Sequence, residues 1–211
     1  VSGWRDDVAM PARVAALPRT PGGIPITYTV AWTSERDVQL RPDPLLTRLG
    51  YGEHLAIFAG GAPGDGAPKL AVTETSRQRR AALLGLCQVC GHPIPEPSKR
   101  RPRWLADLRK NGQTIRLDGR MLPLIIDTWT CAPCMAYALQ VCPGLIRHRA
   151  EAPLHLLAVR AYRLVATLER PDSIPASELP GGAIGLVKIA PTDFDVLAAD
   201  DFPTSTAGDS Q

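Results

Sequence analysis

Cys87-Gln-Val-Cys90-Gly91 and Cys131-Ala-Pro-Cys134 are the stretches from which the architecture of this 211-residue chain is read. Two thiolates three positions apart can face one ion when the chain turns tightly between them. A glycine after the second cysteine lets backbone amides turn toward the sulfurs. In the second pair the sequence predicts that the cysteines open a helix over Cys134–Val141, ending at Pro143-Gly144. The partial positive charge and free N–H groups of a helix start favour thiolate.

Forty residues separate Cys90 from Cys131, and Asp118-Gly119 between them is a hairpin turn signal flanked by Ile115–Leu117 and Met121–Ile126. A two-ligand turn, a hairpin and two ligands at a helix start form the layout of a treble-clef site. Four soft thiolates in a tetrahedron suit Zn2+ best. The expectation is an α+β protein with a zinc-stabilised treble-clef-like centre and flanking short β-strands, with Cys87, Cys90, Cys131 and Cys134 as metal ligands. Cys142 is read as a buried free thiol, with a substitute ligand or an iron–sulfur role as alternatives. His92, after the first pair, is read as exposed or bonded to a nearby carbonyl, with replacement of a cysteine ligand as the alternative; His54, His148 and His155 stand isolated and are read as structural or solvated.

Outward from the cysteines the charge is uneven. Residues 1–76 carry net −1, residues 77–163 net +10 and residues 164–211 net −6. A basic middle attracts polyanions, and an acidic end can meet either that middle or solvent. Hydrophobic residues at 45% and charged residues at 21% are those of a globular protein. No apolar run reaches the roughly 18–20 residues of a membrane helix, and the first residues do not read as a secretory signal. Five cysteines, four of them in C-x-x-C pairs, fit a reducing cytoplasm better than a disulfide framework.

Four segments follow: a β-rich segment 1–76, a zinc-binding basic centre 77–150, a β segment 151–198 and a disordered acidic tail 199–211. Residues 1–23 read as loosely organised, with a short helix before Pro18. Ile24–Thr33 alternates as a strand. His54–Ala59 and Lys69–Thr73 read as a hairpin about a Gly/Pro loop, and Thr75 and Gln78 as a capping box opening a helix to Leu86. The stretch 93–103 should be extended and exposed, and Trp104–Arg109 a short helix or strand. Residues 154–168 fit both a strand and a helix and are taken as strand, and Ala183–Ile189 reads as a second strand.

The enzyme motifs that zinc would suggest are missing. There is no His-x-Glu to make a deaminase with Cys131–Cys134, no His-Glu-x-x-His and no Gly-x-Ser-x-Gly. Four cysteines would also close the coordination shell that a catalytic zinc keeps open.

The stretch from Gly23 to Pro143 resembles an uncharacterised family of actinobacterial proteins, some of them phage-associated, with paired C-x-x-C zinc knuckles. The matching residues are Ile24–Glu35, Arg77-Gln-Arg-Arg80, Cys87–Gly91, Cys131–Ala136 and Val141-Cys142-Pro143. The chain departs from the family in the long segment between the pairs. The resemblance implies no activity. It does imply that Arg77–Arg80 and Cys142 belong to the same unit as the knuckles.

The function expected is non-catalytic: a zinc-stabilised binding or regulatory protein whose basic centre contacts nucleic acid. Arg77, Arg79, Arg80, Lys99, Arg100, Arg101, Arg103, Arg109 and Lys110 are the expected phosphate contacts, with Trp104 or Trp129 stacking on a base. The alternatives are a module binding an acidic protein, and an enzyme of unknown class or iron–sulfur protein.

Overall fold

The computed structural model describes residues 8–107, 113–169 and 182–202. The chain contains both helices and strands, giving an α+β protein. The elements are α1 (Ala12–Ala15), β1 (Val30–Trp32), β2 (Val38–Pro42), α2 (Pro44–Arg48), β3 (Leu55–Ala59), β4 (Pro68–Thr73), α3 (Thr75–Leu84) and β5 (Arg103–Asp107). They continue as β6 (Thr114–Leu117), β7 (Arg120–Pro123), α4 (Ala132–Val141), α5 (Pro143–Glu151), β8 (His155–Glu169), β9 (Ala183–Ala198) and a closing 3-10 turn, Ala199–Asp201.

A five-stranded sheet in the order β2-β3-β9-β8-β5 forms the body. It draws strands from the first three sequence segments, so they are parts of one body. Its centre is the long antiparallel β8–β9 pair, whose register shifts three times. One shift falls between Ala161 and Tyr162, beside the Tyr162–Pro191 pair. Proline lacks the N–H a ladder needs, so an irregularity is where a strand tolerates it. That lets β9 run to Ala198, well past the Ile189 expected. The first half of β9 is almost wholly buried, and the second half alternates.

Alternation on β8 supplies two cores. Leu156 packs with Met135, Leu139 and Phe202 on the α4 side. Leu157 and Val159 pack with Leu105, Trp129 and Ile189 on the other. A third cluster joins Leu46 of α2, Ala56 of β3 and Ala82 of α3 to Ile184 and Val187.

Several local expectations change. His54–Ala59 and Lys69–Thr73 do not pair: β3 lies against β2 and bridges β9, while β4 pairs with β1 in a separate two-stranded sheet. Ser34 Oγ donates to Ala62 O and Asp65 O at 3.1 and 2.8 Å, tying the intervening loop to the β1–β2 connection. Only Val30–Trp32 of the expected 24–33 strand is strand. The amides before it are taken elsewhere: Ile26 donates to Pro18 O, Tyr28 to Val89 O and Thr29 to Gln88 O.

Helix α3 is capped by Glu74, whose carboxylate accepts from the Ser76 and Arg77 amides at 2.9 and 2.7 Å. The expected capping role of Gln78 is replaced by a buried one. Its amide nitrogen donates to Ile126 O and Val187 O at 2.7 and 2.8 Å, and its oxygen accepts from the Val187 N–H at 3.1 Å. Pro143 starts α5 instead of ending the helical region, as proline suits the first helical position. Residues 199–202 are ordered, contrary to the expected tail: Ala199 and Phe202 are buried, and the Phe202 ring meets Trp104 at 4.7 Å. Residues 203–211 lie outside those described.

The deepest ion pair joins α3 to α2. Arg79 is fully buried, its Nε 2.8 Å from Asp43 Oδ2, and its Nη1 donates to Ile57 O and Gly185 O at 3.1 and 2.9 Å. Asp43 also caps α2 through the Leu45 N–H. Arg79→Met should therefore strand a buried carboxylate and lower stability by about 3–5 kcal/mol. Urea unfolding tests this; a loss below 1 kcal/mol would show the pair to be dispensable.

Candidate metal centre

Helix α3 delivers the chain to the first cysteine pair in a closed turn. The Cys87 N–H donates to His92 O and the Gly91 N–H to Cys87 O, both at 2.8 Å. Gly91 sits at φ +73, and a Cβ there would meet the Tyr28 ring at 2.9 Å. Backbone conformation and contact both call for glycine. The turn is held from two further sides: Tyr28 and Thr29 bond its carbonyls, and the Gln88 N–H donates to Trp129 O at 2.7 Å.

Cys131 is the N-cap residue of α4, with Cys134 in the first turn. The Cys131 N–H reaches Cys87 Sγ at 3.5 Å, as expected where an amide faces a sulfur with thiolate character. The ligand atoms of Cys87, Cys90, Cys131 and Cys134 all lie within 4.8 Å of one another, close enough to bind a metal ion. Cys142 is outside the cluster, between α4 and α5. His92 is exposed, and its Nδ1 lies 3.0 Å from Cys90 O.

Cys87, Cys90 and Cys134 are buried. Val14, Val89 and Tyr137 pack around them, with Met10, Leu17 and Ile94 at the edge. Sequence reading missed the contribution of Met10, Val14 and Leu17. Their spacing of four and three was the available signal of a helical face, but α1 covers only four residues.

Within the cluster the protons are shared unequally. Hydrogen bonds with Cys131, Cys134 and Cys87 hold the Cys90 thiol far below the usual thiol range. Contacts with Cys131, Cys87 and Cys90 push the Cys134 thiol up. Four thiolates so close repel one another unless a cation stands among them, so metal binding would release the remaining protons.

The nine expected phosphate contacts separate into different roles. Arg79 and Arg103 are buried, which corrects their assignment. Arg103 donates to Pro95 O, Ile94 O and the Tyr162 hydroxyl at 3.0, 2.9 and 3.1 Å, pinning the 94–96 strap onto the sheet. Arg77 pairs with Glu35 and donates to Val30 O at 2.7 Å, joining α3 to β1. Arg80, Lys99, Arg100 and Arg101 are exposed. Arg109 and Lys110 lie outside the described residues. Trp129 is fully buried, its Nε1 donating to Ala82 O at 3.2 Å, which corrects its assignment as a stacking residue; Trp104 is half-buried and meets Phe202 edge to face.

No helix among the described residues is long and apolar enough to cross a membrane. No known protein family, no curated protein and no solved structure matches this chain.

Two outcomes are expected. Cys134→Ser should reduce bound metal from one per chain toward none and loosen the packing around Tyr137, read by elemental analysis and near-ultraviolet circular dichroism. Half-buried Asp127 has its carboxyl raised by burial. A raised acid is accommodated best when protonated, so its contribution falls as pH rises from the unfolded value through the folded one. Asp127→Asn should therefore stabilise the protein at pH 7 and have little effect near pH 3. Equal effects at both pH values would refute this.

Proposed function

We propose that this is a non-catalytic, zinc-stabilised binding protein whose exposed basic centre contacts nucleic acid. The observation that carries the reading is the buried, four-sulfur cluster. Four thiolates favour zinc by softness and geometry, and they fill its coordination shell, which assigns the ion a structural role. The two-ligand turn, the β6–β7 hairpin and the second pair at the start of α4 support a treble-clef-like arrangement. The zinc would be held by Cys87, Cys90, Cys131 and Cys134, tying α1, the turn and α4 together.

The nucleic-acid part rests on Arg80, Lys99, Arg100 and Arg101. Ser98 and Arg101 exchange backbone hydrogen bonds at 3.0 and 3.2 Å, closing a tight turn that presents Lys99 and Arg100. Arg80, Arg100 and Arg101 have no carboxylate partner among the described residues. Lys99 lies near Asp193, which is itself held by Arg160. Exposed cations of this kind supply affinity for phosphates without reading sequence.

Protein purified without added metal should contain one zinc per chain and show no visible absorbance. In filter binding its nucleic-acid affinity should fall with salt, by about 0.9 log units per tenfold salt for each phosphate contacted. Absence of salt-sensitive binding would remove the nucleic-acid reading and leave an acidic protein as the partner to seek. Iron with visible absorbance would overturn the zinc assignment.

A further inference from the structure

The β6–β7 hairpin carries basic residues beyond those expected from the sequence. Its turn places Asp118 at φ 48 and Gly119 at φ 77, the left-handed pair of a tight type I′ hairpin. The register sets Ile115 opposite Leu122 and Arg116 opposite Met121. Leu122 is buried, so the Ile115–Leu122 face turns to the body. The other face presents Arg116 and Met121, with Met121 60% exposed; Arg120, opposite Leu117, falls on the Ile115–Leu122 side of the ribbon but is exposed at its turn end. Asp118 is the acidic residue of the ribbon. Neither Arg116 nor Arg120 has a carboxylate partner among the described residues.

The root of this ribbon is fixed. Ile125 and Ile189 exchange two backbone hydrogen bonds of 2.8 Å, joining the chain after β7 to the middle of β9. Gln78 donates to Ile126 O at 2.7 Å. Lys188 Nζ donates to Gln113 Oε1 at 2.8 Å, and the Leu124 N–H to Gln113 O at 2.9 Å. The base is therefore held by the sheet and by α3, while the outer face carries Arg116 and Met121 and the turn end carries Arg120, neither arginine with a carboxylate partner among the described residues.

We propose that the β6–β7 ribbon is an arm that enters the major groove of B-form DNA. The proposal rests on the nucleic-acid reading above and names its partner as duplex DNA. The dimensions support it. Two strands about 4.8 Å apart and four residues long make a ribbon about 13 Å in length. The B-form major groove is about 12 Å wide and 8.5 Å deep, and it admits a two-stranded ribbon. Arg116 and Arg120 then meet the phosphate walls or guanine edges, and Met121 offers an apolar contact to thymine methyl groups. The narrow, deep major groove of A-form RNA does not admit such an arm.

The test is fluorescence anisotropy of the full metal-loaded chain with a short DNA duplex, a single strand of the same length and the matching RNA duplex, across a salt series. The DNA duplex should bind tightest. R116A/R120A should weaken that binding and reduce the salt slope by about 1.8. R116K/R120K should keep the slope, and both variants should keep one zinc per chain. Unchanged duplex affinity in R116A/R120A would overturn the arm. If K99A/R100A/R101A meanwhile loses binding, the nucleic-acid reading survives without it. RNA duplex bound as tightly as DNA also overturns the arm, and no binding of any probe by the unaltered chain overturns both readings.

Discussion

Closure of the chain between the two cysteine pairs places segments that otherwise share little. Bringing Cys87 and Cys90 to Cys131 and Cys134 shuts a loop of some forty residues, which costs on the order of 4 kcal/mol of chain entropy. Hydrogen bonds from the Gln88 and Cys131 amides offset part of that cost even before a cation is present. The same turn fastens the N-terminal region through Tyr28, Thr29 and Val14. Through Trp129, beside Thr130 and Cys131, it also reaches the sheet core at Leu157 and Val159. A metal ion bound here would stabilise contacts well beyond the four cysteines.

Helix α3 shows how charge along a sequence differs from charge on a surface. Arg77, Arg79 and Arg80 are almost consecutive, yet they meet three environments. Arg79 and Gln78 face the sheet and satisfy backbone oxygens at Ile57, Gly185, Ile126 and Val187. Arg77 turns toward Glu35, and Arg80 to solvent. Such buried polar groups are tolerated because carbonyls and a carboxylate surround them, and removing one partner costs more than the bond itself contributes. The basic centre is consequently smaller as a surface than its net charge indicates. Among the described residues, what remains outside includes the 98–101 turn, Arg80, Arg147, Arg163 and the β6–β7 ribbon.

The ends of the long strands show a related compensation. Asp193 and Asp195 on β9 would read as loop residues, but Arg160 of β8 pairs with both. Arg160 lies within a register shift, where the strand has room to aim its side chain at two acceptors on one neighbour. At this exposed position the pairs add little stability; they let an acidic stretch remain in the ladder.

The cysteine spacing by itself pointed to the four thiols that the fold brings together, and Asp118-Gly119 determined the β6–β7 turn, because C-x-x-C pairs and a left-handed backbone pair are local signals. The helices α3 and α4 were legible for the same reason, as apolar patterns bounded by turn residues, while β8 could be read from its pattern as either strand or helix. Tertiary structure decided the rest. Strands β3 and β4 are near in sequence and each reads as strand, but β3 pairs with β2 and bridges β9, where Ala56 is buried with Ile184, and β4 pairs with β1, contacts that lie outside either strand's local pattern. Only packing made Arg79 and Arg103 internal, since nothing in a run of basic residues says which one will find carbonyl oxygens. Only packing turned the Ile115–Leu122 face of the ribbon inward and left Arg116 and Met121 outside, because a strand's two faces become different when one has something to cover.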